Sequence, residues 1–158
     1  MSDESVRARI KLSLWDEHAQ ARPRRVLEVD AAEALRLLAS TSLGRIVFTE
    51  NALPAIRPVN HIVLGGDIIV RTHLGAALAA HVQGTATPGT VVAYEADDID
   101  PSTHLGWSVV VTGFGRLVTD STELETYRSH LMPWVDRVMD CAVHIHPEII
   151  TGVRLALR

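Results

Sequence analysis

The chain has 158 residues, 47% of them hydrophobic and 22% charged, with one cysteine and a formal net charge of −4. That length predicts a single domain whose core needs no disulfide or metal staple, and the composition excludes a disordered or low-complexity chain. Cys141 has no second cysteine to pair with, no window approaches the ~20 apolar residues of a membrane span, and the polar start lacks the apolar run of a secretory signal; a cytoplasmic protein with no membrane partner is expected.

Residues 1–25 hold six basic and four acidic side chains and read as a solvated N-terminal arm, leaving 26–158 as the domain. That domain is net acidic, which argues against a nucleic-acid partner, because displacing counterions takes a basic face. The first firm element starts at Asp30. With Glu33 it forms a capping-box pattern, in which Asp30 accepts an orphan N–H and Glu33 reaches back. Leu35 and Leu38 then face one way with Ala31 and Ala34, over about three turns that end at Ser40-Thr41-Ser42.

From there the period changes. Residues 43–49 (LGRIVFT), 54–64 (PAIRPVNHIVL) and 67–72 (DIIVRT) read as three strands, joined at Glu50-Asn51-Ala52 and at Gly65-Gly66. Connections this short require antiparallel pairing. Pro58 has no N–H for a ladder, so it belongs at an edge, at a bulge, or where backbone is left free for another group. Residues 74–83 read as an Ala-rich helix, 91–95 as a fourth strand, 97–106 as an acidic loop and 107–118 as a long fifth strand, with a bulge or bend at Gly113 and Gly115. Asp120 and Glu123 cap a further helix that Pro133 closes. Residues 141–146 and 149–157 supply a sixth and a seventh strand. Strands without a βαβ rhythm, together with three short helices, predict a mainly β fold, an antiparallel barrel with helices at its ends.

Few constellations carry chemistry. His144 and His146 share a strand face but lack a third ligand, since Pro147 interrupts the spacing to Glu148; an exposed pair is expected, with no metal. Glu95, Asp97, Asp98 and Asp100 do not follow a calcium-loop order and read as a solvated loop. Cys141 reads as a small core residue, Ser108 lacks a nucleophile elbow, and no dinucleotide fingerprint opens a helix. Trp134 reads as a core anchor. What remains is 57–75. Arg57, Pro58, Val59, Asn60 and His61 lie on one strand, and Arg71, Thr72 and His73 end the next and run into a helix start. There, unpaired N–H groups and the dipole favour an anion, Thr72 offers a hydroxyl, and Arg71 a fork of donors. An ordinary hairpin-to-helix corner is the alternative.

The runs 43–49, 53–60 and 68–72, with 97–101 (DDIDP), 106–113 (GWSVVVTG) and 147–152 (PEIITG), resemble the pyridoxamine 5′-phosphate oxidase-like proteins, most of all their actinobacterial branch. The resemblance implies a split, Greek-key-like β-barrel that forms a homodimer and binds FMN, or in some relatives a deazaflavin, at the subunit interface. Arg57, Pro58, Val59 and Asn60 would then line the isoalloxazine, Arg71, Thr72 and His73 would meet the phosphate end, and Trp107 would approach the cofactor of the other subunit. The implied activity is flavin-dependent oxidoreduction of a small molecule, with no catalytic side chain identified. The alternative is a non-catalytic protein that sequesters or senses flavin, deazaflavin or haem. One departure stands out. Relatives place a lysine near the start of the short helix, where this chain has Ala77, and no lysine follows Lys11.

Overall fold

The computed structural model describes residues 23–72, 89–118, 120–131 and 141–158. Its elements in chain order are β1 (Arg25–Val29), α1 (Ala31–Ala39), β2 (Leu43–Glu50), β3 (Leu53–Leu64), β4 (Asp67–Thr72), β5 (Thr90–Ile99), β6 (Gly106–Val118), α2 (Ser121–His130) and β7 (Cys141–Ala156). The predicted helix 74–83, His73, Ala77 and Trp134 lie outside the described residues.

The strands form one antiparallel sheet in the order β1-β7-β4-β3-β2-β5-β6, and β6 pairs back onto β7, so six strands close a ring. β2, β3 and β4 are hairpin neighbours and β5 returns beside β2, which is the Greek-key order. β7 pairs with β6 along nearly its whole length, while its other side is shared by β4 in the first half and β1 in the second.

Inward positions alternate along each strand. Ile46, Phe48, Val59, Ile68, Val70, Val92, Tyr94, Trp107, Val109, Val111 and Ile145 fill the barrel, so it is a packed core rather than a channel. α1 adds Ala34, Leu37 and Leu38 to that core. α2 packs on the outside through a second cluster of Ile69, Val118, Tyr127, Leu131 and Ala142.

Several expectations are corrected. β1 was not anticipated, and Arg25, assigned to the arm, pairs with Ala156; five residues with four exposed side chains carry almost no hydrophobic period. In α1 the Asp30 carboxylate accepts the Glu33 N–H at 2.8 Å as expected, but the Glu33 side chain turns to Arg36 and Arg154 instead of the cap. Ala31 is exposed and Leu37 is buried. β5 runs on to Ile99, so Asp97 and Asp98 lie on the strand that holds Glu95 and not in a loop. α2 ends at His130, before Pro133.

The two expected C-terminal strands are a single one. Thr112 pairs with Ile149 and Gly113 with Pro147, leaving Glu148 as an extra residue at the register shift. A bulge is where a strand tolerates proline. Gly113 is needed opposite it, because a Cβ there would come 2.0 Å from the His146 carbonyl oxygen.

Candidate functional site

β3 has two unlike halves. From Asn60 to Leu64 it pairs with β4 on one side, and at Asn60 and His61 also with β2 or the residue before it on the other; from Leu53 to Val59 only the β2 side is paired among the described residues. The His61 N–H donates to the Ser42 carbonyl at 2.9 Å, so odd positions turn their backbone groups toward β2 and even positions toward β4. The next rung after Asn60↔Arg71 would need the N–H that Pro58 lacks. Pro54 lacks one on the same side. The open edge therefore offers one donor, the Ile56 N–H, among carbonyls, and the Ile56 carbonyl already accepts from Arg57 Nη1 at 2.9 Å. Of the alternatives foreseen for Pro58, the edge position is the one found among the described residues.

Alternation also sorts the predicted residues. Asn60 and Arg71 are direct partners, sharing a barrel face with Pro58. Asn60 is buried although it lies on the outer face. Arg71 is half-buried, and its Nη1 donates to the Leu131 carbonyl at 2.8 Å. Arg57 and Val59 are on the opposite face: Val59 is in the core, while the Arg57 guanidinium lies 6.0 Å over the Phe48 ring and 3.6 Å from the Glu50 carboxylate. Thr72 pairs with Cys141 through the backbone. Trp107, 6% exposed, belongs to this chain's own core and is not grouped with the others.

Beneath the paired half of β3 sits a polar network that sequence reading did not single out. The His61 Nε2–H donates to the Leu38 carbonyl at 2.9 Å, and the Tyr94 hydroxyl donates to Nδ1 at 2.6 Å. Both residues are essentially inaccessible, and this single tautomer satisfies both ring nitrogens. Burial lowers the His61 pKa and raises that of Tyr94. Gly44 makes the arrangement possible, since a Cβ there would stand 2.3 Å from the Tyr94 hydroxyl and 2.6 Å from the Glu95 carbonyl oxygen. The available signal was a glycine inside an otherwise apolar, β-branched strand, which marks close approach.

Outside the barrel, Ile56, Val47, Ala93, Thr112 and Ile149 are successive cross-strand partners and form one largely apolar row. Ile56 is 58% and Ile149 61% exposed. The next row is Pro58, Arg45, Glu95, Val110 and Thr151. Here Arg45 Nη1 donates to Glu95 at 3.2 Å and Asp97 at 3.1 Å. Burial, and then Asp97, raise the Glu95 pKa. Elsewhere, His144 Nε2 and His146 Nδ1 reach the two oxygens of Asp67 at 2.9 and 2.8 Å. His146 is exposed as expected, and His144 is largely covered. No group of three or more His, Cys, Asp or Glu among the described residues is arranged to hold a metal ion. A groove of about 540 Å³ opens beside the paired half of β3, lined by Thr41, Ser42, Ile62, Leu64 and His130 among others.

The sequence profile of the family described as pyridoxamine 5′-phosphate oxidase matches residues 30–154. The chain belongs to this family. A relative from Mycobacterium tuberculosis, the uncharacterized protein Rv0080, is 54% identical over 132 residues, covering 84% of this chain and 87% of its own. A Corynebacterium glutamicum crystal structure, of a candidate pyridoxamine 5′-phosphate oxidase, superposes with a TM-score of 0.68 at 31% identity, over 87% of this chain and 99% of the other. The structure of an FAD-binding protein from Mycobacterium smegmatis gives a TM-score of 0.59 at 32% identity, over 82% and 98%. These two structures share the mainly β fold.

Proposed function

We propose that this chain binds a flavin along the open half of β3 and uses it in oxidoreduction of a small molecule. The observation that carries the reading is the β3 edge between Leu53 and Val59, which has no partner among the described residues, in a family member 32% identical to an FAD-binding protein. The edge suits a flat heterocycle rather than another strand. A strand needs a donor at every second residue, and Pro54 and Pro58 remove two of them. A ring with one acceptor and one donor on its rim needs only the Ile56 N–H and the Pro58 carbonyl. Asn60 adds a buried amide, and Arg71, its cross-strand partner, adds a cation for a phosphate-bearing tail.

When bound, the flavin supplies hydride or single-electron transfer, and the chain's residues orient it and exclude water. FMN is the proposed form, with a deazaflavin as the alternative. The second copy of a homodimer covers the apolar row from Ile56 to Ile149, bringing two flavin edges to one interface in a cytoplasmic protein. No helix among the described residues is long and apolar enough to cross a membrane.

The test is the absorption spectrum of the purified protein before and after incubation with excess FMN, FAD or deazaflavin and removal of the unbound cofactor. Retention of one flavin per chain is expected, together with a dimer by sedimentation that Ile149→Arg dissociates. A protein that stays colourless with all three would overturn the reading. A non-catalytic sequestering role is favoured by one sequence feature, Ala77 in the place of a lysine. Tight flavin retention without turnover of any reduced donor would establish it.

A further inference from the structure

β1 stands outside the closed ring of strands. One side of it pairs with the second half of β7, and its other side has no partner among the described residues. A side chain at Gly152, the partner of Val29, would start against Val29 Cγ2 and Ala34 Cβ. Arg25, Leu27 and Val29 therefore lie on the α1 side of the strand, and Val26 and Glu28 on the other. Leu27 is 36% exposed although it is on the side of the core, and Val26 is 61% exposed. No proline, lysine or bulge interrupts Arg25–Val29. Such an edge is a template for a further strand, and proteins cover it or blunt it.

The chain carries a segment with the matching pattern. Val6, Ala8, Ile10, Leu12 and Leu14 alternate with Arg7, Arg9, Lys11 and Ser13, which is the period of a strand with one apolar and one basic face. At helical spacing the same side chains scatter, with Val6, Ile10 and Leu14 on one side and Ala8 and Leu12 on the opposite one. Residues 6–14 lie outside the described residues, and outside the 30–154 matched by the family profile. Residues 15–24 connect them to β1, a length that allows a return beside it. Pro23 has no N–H and stops β1 from lengthening backward. Arg24 Nε donates to the Thr103 carbonyl at 2.7 Å, which fixes where the connection arrives.

We propose that residues 6–14 of this chain add to the outer edge of β1 as an antiparallel strand, with their apolar face over Leu27 and their basic face beside Glu28. A tether this short holds the segment at an effective concentration in the millimolar range, which favours it over a second copy or a foreign strand. Glu28, exposed on the outer face of β1, then meets Arg7, Arg9 and Lys11, an opposite-charge arrangement across neighbouring strands. The sheet now ends on a row of arginine and lysine side chains, the composition that turns further strands away.

The experiment is hydrogen exchange on the full-length protein, read by mass spectrometry. Amides of 6–14 and the outward amides of 25–29 are expected to exchange at least about tenfold more slowly than unstructured chain, at every protein concentration. Ile10→Asp/Leu12→Asp puts two charges on the apolar face and should release both segments together, while amides of β6, inside the ring, keep their rates. Leu27→Ser, made from the other side of the contact, should release 6–14 as well. Ser13→Asp, on the basic face, should leave both segments protected.

Exchange of 6–14 at the unstructured rate in the wild type overturns the proposal. So does release of 6–14 by Ile10→Asp/Leu12→Asp with no change in 25–29, because the segment would then rest elsewhere. Protection of 25–29 that is lost on dilution means that a second copy covers the edge, and it overturns the hairpin equally. Should the double variant also lose protection in β6, Leu27→Ser decides: release of 6–14 with β6 intact sustains the pairing, and unchanged protection of 6–14 overturns it.

Discussion

The two halves of β3 show how one strand can serve structure and ligand at once. From Asn60 onward it pairs with β4, at Asn60 and His61 it is flanked on both sides, and its His61 ring is locked between Leu38 and Tyr94. Before Asn60 it keeps one strand partner among the described residues, and two prolines thin out the donors of its other side. The boundary is chemical rather than geometric. Pro58 lacks the N–H that a rung beyond Asn60↔Arg71 would use.

The sharpest way to break the comparison is to damage the paired half. Gly44→Ala places a methyl group 2.3 Å from the Tyr94 hydroxyl and 2.6 Å from backbone; a backbone atom cannot swing aside, so a loss of about 3 kcal/mol or more is expected. His61→Ala opens a cavity and strands the Tyr94 hydroxyl, at a cost of about 3–5 kcal/mol. The double variant His61→Leu/Tyr94→Phe removes both partners and should recover much of that loss, as a non-additive cycle in urea unfolding. Additive losses would mean that the pair is not coupled.

Acid should act on the same half. Burial lowers the His61 pKa from its ordinary 6.5. Between 6.5 and the lowered native value the unfolded chain binds a proton that the native chain refuses, so this contribution to stability is full above about 6.5 and declines as pH falls through that window. Glu33 and Glu123, held low chiefly by hydrogen bonds from Arg154 and Arg116, act in a separate window below 4.5. The slope of unfolding free energy against pH near 6 should therefore flatten in His61→Leu/Tyr94→Phe. An unchanged slope would remove His61 as its source.

How much of this was legible in sequence depends on whether the signal was local. The Asp30 and Asp120 caps, the Gly65-Gly66 turn and the antiparallel succession of β2 to β4 rest on residues a few positions apart, and the structure has them. Pro58 was legible as an edge because proline's missing donor is intrinsic to the residue. What failed depended on distant partners. β1 is a strand because β7 has a free side for it. Asp97 and Asp98 are strand residues because β6 offers them Ser108 and Trp107 as partners. The family resemblance was carried by several spaced motifs in order, whereas Arg71's tie to Leu131 left no local trace.

The open half can be probed at its edge. Pro58→Ala restores a donor on the side of β3 that has no partner among the described residues, and should alter stability by less than about 1 kcal/mol, the usual range for a partly exposed site. Its effect should fall instead on association: a completed edge is a template for another strand, so the variant should self-associate more readily and retain flavin less well. Light scattering and flavin content check this; an unchanged pair of values would mean that Pro58 does not protect the edge.

The smallest effect is expected where β3 begins. Its two ends are both tight turns with left-handed backbone. The β3–β4 turn uses Gly65 and Gly66 at φ +60° and +90°, while the β2–β3 turn uses Asn51 and Ala52 at +51° and +63°. Glycine enters that region freely and asparagine tolerates it, but alanine's Cβ meets the following carbonyl at a cost of roughly 1–2 kcal/mol. Ala52→Gly removes the strain and adds back some unfolded-state entropy, so a net gain of about 0.5–1 kcal/mol is expected, read as a higher urea midpoint at unchanged slope. Because Ala52 is exposed, no packing is lost to obscure the result. A gain without loss of flavin would show that the open half tolerates a relaxed turn. A gain accompanied by weaker flavin binding would mean that the strained turn holds the edge in the shape the ligand needs.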